Sequence, residues 1–263
     1  MNYKQICQQV AQLAMQTGKE LMQYRNNNKL IIEAKGPHDF VTQMDKFSEQ
    51  LLVAGLEKIV PEAGFIAEEN TRTNRAETYN WIIDPIDGTT NFIHQMPPYA
   101  ISIALMEGEQ IVVGIVLELS HMELFSAWIG GGAYLNNTPI HVSATPDVNN
   151  ALIATGFPYN NFSRIDGYML SLNHFMRMAS GVRRIGSAAT DLVYTACGRF
   201  DAFYEYDLKP YDVAAGSIIV TEAGGRVCDF ANGNNYLFGR EMVATNNILH
   251  NEFMTTITNT LNK

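Results

Sequence analysis

The stretch WIIDPIDGTTNF, residues 81–92, decides how this chain is interpreted. An apolar segment runs straight into two carboxylates, Asp84 and Asp87, and then into Gly-Thr-Thr-Asn. Because Pro85 disfavours the helical conformation at Asp84, we expect the chain to turn sharply where the predicted strand ends. Such a turn can aim both carboxylates at one point and expose the carbonyl oxygen of Ile86 between them.

The residues after Asp87 are typical of an anion-binding turn. Gly88 allows close approach to the backbone, and it is followed by types that expose or cap helix-start N–H groups, Thr89, Thr90 and Asn91. Carboxylates beside an anion-binding turn require cations between them, and hard oxygen ligands without His or Cys indicate Mg²⁺. An isolated Asp-x-x-Asp would be interpreted as a solvated type I turn. Here the strand, proline, glycine and paired threonines coincide, which favours a functional site.

The composition describes an acidic globular protein. The 263 residues include 18 Lys and Arg against 27 Asp and Glu, which gives a formal net charge of −9. Hydrophobic residues make up 46% of the chain, a value that excludes wholesale disorder. An acidic surface repels nucleic acid and anionic lipid headgroups. We therefore expect neither nucleic acid nor a membrane as a partner.

The cysteines indicate a reducing compartment. Cys7, Cys197 and Cys228 are odd in number and far apart, and no Cys-x-x-Cys pair occurs. This usage is typical of reduced thiols rather than of a disulfide framework. The sequence has no apolar run of membrane-spanning length, and its first residues do not resemble a signal peptide. We therefore expect a cytoplasmic protein.

The spacing of apolar residues predicts two different halves. Up to about residue 142 it predicts a first helix, a second helix over 42–60 with an apolar stripe at Phe47, Leu51 and Leu52, and then strands. Beyond that point strands alternate with helices, a pattern typical of an α/β unit. The predicted helices there cover residues 164–179, 187–197, 210–223 and 247–261. We predict an N-terminal α+β subdomain over residues 1–145 and a C-terminal α/β subdomain over residues 146–263.

Two further segments carry carboxylates. In KPYDVAAG, residues 209–216, Pro210 and Asp212 suit the first turn of a helix. In FIAEE, residues 65–69, a predicted strand ends in Glu68 and Glu69. Taken alone, Asp212 would only complement the helix dipole and Glu68 would be a polar strand end.

Together these segments resemble the inositol monophosphatase family of metal-dependent phosphatases. The resemblance covers nearly the whole chain, because matching segments occur in the family's order: residues 35–45, 65–69, 81–92, 186–189, 203–205 and 209–225. The string DPxDGTTN is highly specific. The resemblance implies an α+β fold, a layered αβαβα sandwich like that of fructose-1,6-bisphosphatases, and a homodimer.

The resemblance also implies the metal ligands. Glu68, Asp84 and the carbonyl of Ile86 would hold a first Mg²⁺. A second ion would be held by Asp84, Asp87 and Asp212. Glu68 would reach a third, weaker ion through water, so that two or three Mg²⁺ ions would serve each site.

Substrate and catalytic roles follow from the same resemblance. Backbone N–H groups of Gly88 and Thr89 would bind the phosphate, and the other substrate-binding residues would be Asp87, Ala188, Glu205 and Asp212. The residues that activate the attacking water would be Glu68, Thr89 and Asp45.

The implied reaction is hydrolysis of a phosphomonoester, most closely of myo-inositol 1-phosphate to myo-inositol and phosphate, by water activated between two metal ions. Lithium sensitivity is implied as well. Glu205 favours a polyol, because a carboxylate accepts hydrogen bonds from hydroxyl groups. Alternatives are a related enzyme for 3'-phosphoadenosine nucleotides or fructose-1,6-bisphosphate, and a non-catalytic family member. Tyr211, after Lys209, stands where many inositol phosphatases have Trp, which leaves the pocket rim open.

An aspartyl-phosphate phosphatase is the strongest rival class of phosphatase. Its Asp-x-Asp-Gly-Thr motif makes the first aspartate a nucleophile. Here two residues separate Asp84 from Asp87, one too many for that motif. The spacing therefore favours direct attack by water.

Overall fold

The computed structural model describes residues 1–27, 31–36, 39–72 and 74–261. In the N-terminal half the elements are α1 (Tyr3–Asn27), β1 (Ile32–Gly36), β2 (Asp39–Thr42), α2 (Gln43–Ile59), β3 (Gly64–Ala67), β4 (Tyr79–Asp87), α3 (Thr89–His94), β5 (Ala100–Glu107), β6 (Gln110–Glu118), β7 (Glu123–Trp128), β8 (Ala133–Leu135) and β9 (Thr138–Ile140). Residues 37 and 38 of the predicted motif 35–45 lie outside the described residues.

The C-terminal half opens with a 3₁₀ turn (Val148–Asn150). The elements that follow are β10 (Leu152–Thr155), α4 (Ile165–Met178), β11 (Gly181–Arg183), α5 (Ala188–Ala196), β12 (Ala202–Tyr206), α6 (Pro210–Glu222), β13 (Arg226–Cys228), β14 (Glu241–Thr245) and α7 (His250–Leu261). Each predicted helix of this half is confirmed to within three residues at either end.

Two large sheets organise the described residues, and β1 and β2 form a separate antiparallel pair. One large sheet has seven strands in the order β3-β4-β5-β6-β7-β8-β9, and in it β3 and β4 run parallel while the later pairs are antiparallel. The other has five strands in the order β11-β10-β12-β14-β13. Helices α1 and α2 cover one face of the larger sheet, α5 and α6 lie between the two sheets, and α4 and α7 cover the far face of the smaller one. The predicted αβαβα layering is confirmed.

The central strands are largely apolar because both of their faces are buried. In β5 the alternate residues Ile101, Ile103 and Leu105 join the core beneath α1 and α2. Their neighbours Ala104 and Met106 join the core beneath α5 and α6. Side chains alternate between the faces of a strand, so a sheet covered on both sides requires an almost continuous apolar sequence.

Strand β4 differs from its prediction at the end that carries the carboxylates. The sequence predicts that the strand ends at Asp84, but β4 continues to Asp87. Its pairing with β5 is irregular between these two residues. Pro85 has no N–H to give to the ladder, and a local irregularity in the pairing accommodates it. Both carboxylates therefore belong to one distorted strand end rather than to a turn.

Helix α2 has the predicted extent but a different buried face. Leu52 is buried as expected, whereas Phe47 is exposed and Leu51 is only half-buried. Ser48 and Glu49 face inward instead and are fully buried. The predicted stripe is confirmed at Leu52 and wrong at Phe47, because polar side chains with hydrogen-bond partners inside the protein face inward instead.

The sheets divide the chain much as the two predicted subdomains do, since the larger one uses residues 64–140 and the smaller one residues 152–245. The boundary between residues 145 and 146 remains our proposal. In the described part of the chain, no helix is both long enough and apolar enough to span a membrane.

Candidate active site

Three aspartates from two parts of the fold bring their carboxylates together. Asp84 and Asp87 lie at the end of β4, and Asp212 lies in the first turn of α6. One carboxylate oxygen from each lies within 4.8 Å of the other two. Burial raises the pKa of Asp84 and Asp212 well above its usual range, and the neighbouring carboxylates raise it further.

Glu68 is held beside this cluster by the parallel pairing of β3 and β4. Its backbone N–H donates a hydrogen bond to the carbonyl of Ile83 at 3.2 Å. The Glu68 carboxylate is near enough to Asp84 to be, after burial, the largest cause of the raised pKa of that group. The Ile86 carbonyl lines the same cavity. The five predicted metal ligands are therefore neighbours.

This donor set fits a hard divalent cation. Its members are carboxylates and a backbone carbonyl, the oxygen ligands that Mg²⁺ and Ca²⁺ prefer. Buried anions that raise one another's pKa repel one another, and a bound cation relieves that repulsion. The chemistry of the residues and their electrostatics both fit a metal site.

Asp87 has a second set of partners in the C-terminal half. Its Oδ2 accepts hydrogen bonds from the Ser187 hydroxyl at 2.5 Å and from the Ala189 N–H at 2.8 Å. Burial raises the pKa of Asp87 to about 6, and these two bonds, with the Ala188 backbone, act in the opposite direction. Ala188, a predicted substrate-binding residue, lies in the same turn and lines the cavity.

Thr89 and Asp45 form the predicted pair. Asp45 is fully buried in α2, and its Oδ2 accepts hydrogen bonds from the Thr42 N–H and hydroxyl, both at 2.7 Å. The Thr89 Oγ1 lies 3.2 Å from the Asp45 Oδ1 and 3.0 Å from the Ile86 carbonyl oxygen. One hydroxyl hydrogen thus serves two acceptors. Asp45 does not line the cavity, whereas Thr89 does and connects the two through its hydroxyl group.

Gly88 is required by the backbone at the start of α3. It has a φ of +86°, and a Cβ there would lie 3.0 Å from the carbonyl oxygen of Gly186. A side chain at this position would be strained both by conformation and by contact. The loop can therefore bring its N–H groups to the cavity only with glycine.

A cavity of about 420 Å³ joins these residues to the predicted substrate side. Glu205, at the end of β12, is 8% exposed and lines the same cavity. Burial raises the pKa of Glu205 to about 8, although the nearby Arg184 lowers it. A Cβ on Gly156 would lie 2.0 Å from the Glu205 carboxyl carbon, so the absence of a side chain there makes room for the acid.

The rim of the cavity carries an arginine between two aromatic rings. Arg184 donates a hydrogen bond to the Tyr159 hydroxyl at 2.7 Å. Its guanidinium lies 5.7 Å from the ring centre of Phe157 and 5.8 Å from that of Tyr159. Both rings are 42% exposed, so the rim offers aromatic surface to a ligand.

The structure shows how the backbone around Tyr211 is held. The Tyr211 carbonyl accepts a hydrogen bond from the Ser102 hydroxyl at 3.0 Å. The Lys209 backbone N–H donates to the Asp212 Oδ2 at 2.6 Å and so orients that carboxylate. Tyr211 and Lys209 also line the cavity.

The sequence did not indicate several residues that line the cavity or hydrogen-bond to the segments carrying the site residues: Ser48, Glu49, Phe157, Tyr159, Arg184, Ser187 and Ala189. Ser187 and Ala189 lie in the GSAA segment that carries the family resemblance, but only their neighbour was given a role. Ser48 and Glu49 carried no usable signal, because the predicted apolar face of α2 placed Phe47 and Leu51 inward instead. Nothing in the sequence placed Arg184 against two aromatic rings.

Comparison with known proteins supports the family resemblance seen in the sequence, and it does so over nearly the whole chain. The inositol monophosphatase family matches residues 2–262. An inositol-1-monophosphatase of Mesorhizobium japonicum is 37% identical over 242 residues, which are 91% of each chain. The Nus factor SuhB of Escherichia coli is 38% identical over 224 residues, 85% of this chain and 84% of that one.

Solved structures agree. An inositol monophosphatase from Anabaena (Nostoc) superposes with a TM-score of 0.89 at 31% identity, covering 99% of this chain and 98% of that one. The suhB extragenic suppressor protein of Bartonella henselae superposes with a TM-score of 0.88 at 37% identity, covering 94% and 95%.

The layered fold and the acidic cavity are those of a metal-dependent phosphatase. The chain is a phosphoric monoester hydrolase of that class. It belongs to the inositol monophosphatase family.

Proposed function

We propose that this phosphatase hydrolyses a phosphorylated polyol, with myo-inositol 1-phosphate as the leading candidate, and that Mg²⁺ is its metal. One observation supports the proposal: the acidic cluster and the buried Glu205 line the same cavity. A carboxyl group hydrogen-bonds hydroxyl groups in either protonation state. A ligand with its phosphate at the cluster would therefore direct its hydroxyls towards Glu205.

The metal-binding roles keep their predicted assignment. Glu68, Asp84 and the Ile86 carbonyl would hold one Mg²⁺, and Asp84, Asp87 and Asp212 a second. Glu68 would also serve a third ion through water. Bound ions supply Lewis-acid stabilisation of the charge that develops on the phosphoryl and leaving oxygens. The closeness of the carboxylates, within 4.8 Å for the three aspartates, supports this assignment.

The protein's own groups orient the reactants and accept the proton. Gly88 and Thr89 would orient the phosphate through their backbone N–H groups. Thr89 donates its hydroxyl hydrogen towards Asp45 at 3.2 Å, which leaves a lone pair to accept a hydrogen bond from water. Glu68 would accept the proton of that water as it attacks phosphorus.

On the opposite side of the phosphate, the residues that would bind the leaving alcohol are Asp87, Ala188, Glu205 and Asp212. Water attacks without a covalent intermediate in this scheme.

A nucleotide is the second candidate substrate, because one feature of the rim favours it. The exposed rings of Phe157 and Tyr159, with Arg184 between them, offer a stacking surface that a nucleobase can use. A 3'-phosphoadenosine nucleotide would place its phosphate at the cluster and its base at the rim. Fructose-1,6-bisphosphate would use Arg184 as a cation for its second phosphate.

A phosphate-release screen tests the proposal. Purified protein in Mg²⁺ would be assayed with myo-inositol 1-phosphate, 3'-phosphoadenosine 5'-phosphate and fructose-1,6-bisphosphate, and kcat/KM compared. We expect the inositol phosphate to give the highest value, and Glu205→Ala to lower that value more than it lowers the value for the nucleotide. A higher kcat/KM for the nucleotide, lost in Phe157→Ala, would overturn the polyol assignment.

The assembly and the location complete the proposal. We propose a homodimer, which is supported by exposed apolar side chains on α4, namely Met169, Leu170, Met176 and Met178. Light scattering during size-exclusion chromatography would measure the mass of the protein and so distinguish a monomer from a dimer. A cytoplasmic location is supported by the free thiols of the three cysteines.

A further inference from the structure

Glu49 makes two hydrogen bonds to the backbone directly after Glu68. Its Oε2 accepts from the Glu69 N–H and its Oε1 from the Thr71 N–H, both at 2.7 Å. The Glu49 side chain is fully buried in the middle of α2. One carboxylate thus spans two amides of the segment 69–71.

Burying this charge needs a reason. A carboxylate removed from water is costly unless it is hydrogen-bonded, and an apolar residue would pack a helix without that cost. Bonds from neutral N–H groups to a charged acceptor are among the stronger ones in proteins. The two hydrogen bonds from Glu49 therefore hold residues 69–71 in place, a short segment that follows the end of β3.

That segment places a proposed metal ligand. On its N-terminal side Glu68 is tied to β4 by its own N–H, 3.2 Å from the Ile83 carbonyl oxygen. On its C-terminal side the backbone is tied to α2 through Glu49. With both sides fixed, the direction of the Glu68 side chain towards Asp84 is set by the backbone.

The same face of α2 holds the other ligand-bearing segment. Ser48 donates its hydroxyl hydrogen to the Pro85 carbonyl at 3.0 Å, between Asp84 and Asp87. One turn further along the helix, the buried residues become apolar and join the core, Leu52, Val53 and Leu56. The helix is thus anchored in the core by its apolar residues and bonded to two ligand-bearing segments through Ser48 and Glu49.

We propose that Glu49 is a positioning residue that sets the metal affinity of the site by fixing the backbone at residues 69–71, with Ser48 acting in the same way on the end of β4. This inference rests on the proposed role of Glu68 as a metal ligand. Glu49 touches neither metal nor substrate in this scheme and acts through Glu68.

The test uses Glu49→Gln, which keeps the size of the side chain but turns one acceptor into a donor facing a backbone N–H. The matched control is Glu62→Gln, an exposed acid just after α2. Mn²⁺ would be the probe, its binding followed by electron paramagnetic resonance in the absence of substrate. We expect affinity to fall by about 10- to 100-fold in Glu49→Gln and to stay unchanged in the control.

Two further measurements separate positioning from general stability. In metal-free protein we expect the amide hydrogens of Glu69 and Thr71 to exchange at least about tenfold faster in Glu49→Gln, while those of β5 and β6 keep their rates. In assays, we expect the Mg²⁺ requirement to rise while KM for substrate at saturating Mg²⁺ stays constant. Unchanged Mn²⁺ affinity, or faster exchange throughout the protein, would overturn the inference.

Failure of the proposed function gives a different result, because wild-type protein would then bind no Mn²⁺ at the site.

If Glu49→Gln does not fold, Glu49→Asp and Ser48→Ala replace it. We expect weaker Mn²⁺ binding in both, and wild-type affinity in both would count against the inference.

Discussion

The hydroxyl of Ser187 donates a hydrogen bond to the carboxylate of Asp87 at 2.5 Å, although one hundred residues of chain separate the two. The bond connects the end of β4 in one sheet layer to the start of α5 in the next. Ala189 adds its N–H to the same oxygen at 2.8 Å. These bonds fix the position of Asp87 and partly offset the effect of burial on its pKa, which is raised to about 6.

Removal of that hydroxyl should weaken metal binding. We expect Ser187→Ala to raise the Mg²⁺ concentration for half-maximal activity by about tenfold, because a group that orients a ligand is lost. The helix cap that Ser187 forms with the Thr190 N–H is lost too, at a cost of about 1 kcal/mol in unfolding free energy. Ser187→Thr keeps a hydroxyl and should restore the Mg²⁺ dependence. An unaltered dependence in the alanine variant would refute this role.

The acidic cluster itself should be essential for activity and unfavourable for stability without metal. We expect Asp84→Asn and Asp212→Asn each to lower kcat by at least about 100-fold, since several kcal/mol of transition-state stabilisation depend on the ligands. In EDTA both variants should unfold at a higher temperature than wild type, because one of several repelling buried anions is gone. Glu109→Gln, an exposed control, should change neither quantity. Normal turnover by either aspartate variant would show that the site is wrongly assigned.

Direct attack by water should invert the configuration at phosphorus. The proposed residues supply a proton acceptor, Glu68, and no nucleophile that bonds to phosphorus. Hydrolysis of a chiral thiophosphate ester in isotopically labelled water would determine the stereochemistry of the product. Retention would indicate a phosphoenzyme and exclude the proposed mechanism.

Lithium should inhibit uncompetitively with respect to substrate. The second proposed metal site draws Asp84 and Asp87 from β4 and Asp212 from the distant start of α6, so we expect it to be the weaker one and to be completed as substrate binds. An ion that enters after substrate lowers kcat and KM together. Initial rates at several Li⁺ concentrations would show this pattern, and high Mg²⁺ should inhibit as well. Purely competitive inhibition, or none at tens of millimolar Li⁺, would contradict a late-completed site.

His250 should make the fold less stable in acid. Burial, with Arg226 nearby, lowers the pKa of His250 from 6.5 to about 4 in the folded protein. The unfolded chain takes up a proton near its ordinary pKa while the folded protein does not, so stability is lost as pH falls below about 6.5. Between pH 7 and pH 5 we expect wild type to lose about 2 kcal/mol more than His250→Gln does.

Urea unfolding in EDTA at both pH values would measure this difference, since proton uptake by the acidic cluster is then common to both proteins. His174→Gln, which alters an exposed histidine, is the control and should behave as wild type. Equal losses in wild type and His250→Gln would contradict the lowered pKa.

The fold was predictable where spacing and chain order carry information. Alternation and helical spacing placed the strands and helices, and the family resemblance supplied the layering. The face of α2 was not predictable in this way, because Phe47 fits the helical period as well as the residues that are in fact buried. Hydrophobicity assigns an aromatic ring to the core, whereas the interior here accommodates Ser48 and Glu49 through specific hydrogen bonds.

The residues of the candidate site also fall into two groups, those that local sequence predicts and those that depend on tertiary packing. Asp84, Asp87 and Gly88 lie together in sequence, so their proximity follows from the local motif. Asp212 and Glu205 could be placed beside them only through the resemblance, since their approach depends on how two sheets pack. The bond between Ser187 and Asp87 had no sequence signal at all, because a hydroxyl before a helix is also explained as an ordinary cap.

The cavity wall at Glu205 has no room for a side chain on Gly156. The hydrogen atom of Gly156 faces the Glu205 carboxyl group, where a methyl carbon would lie 2.0 Å from the carboxyl carbon. Codons for glycine and alanine differ by one base. The smallest heritable change at this position would therefore push the acid out of its place while leaving every charged side chain in the protein intact. The shape of the cavity at Glu205 thus depends on a residue that has no functional group of its own.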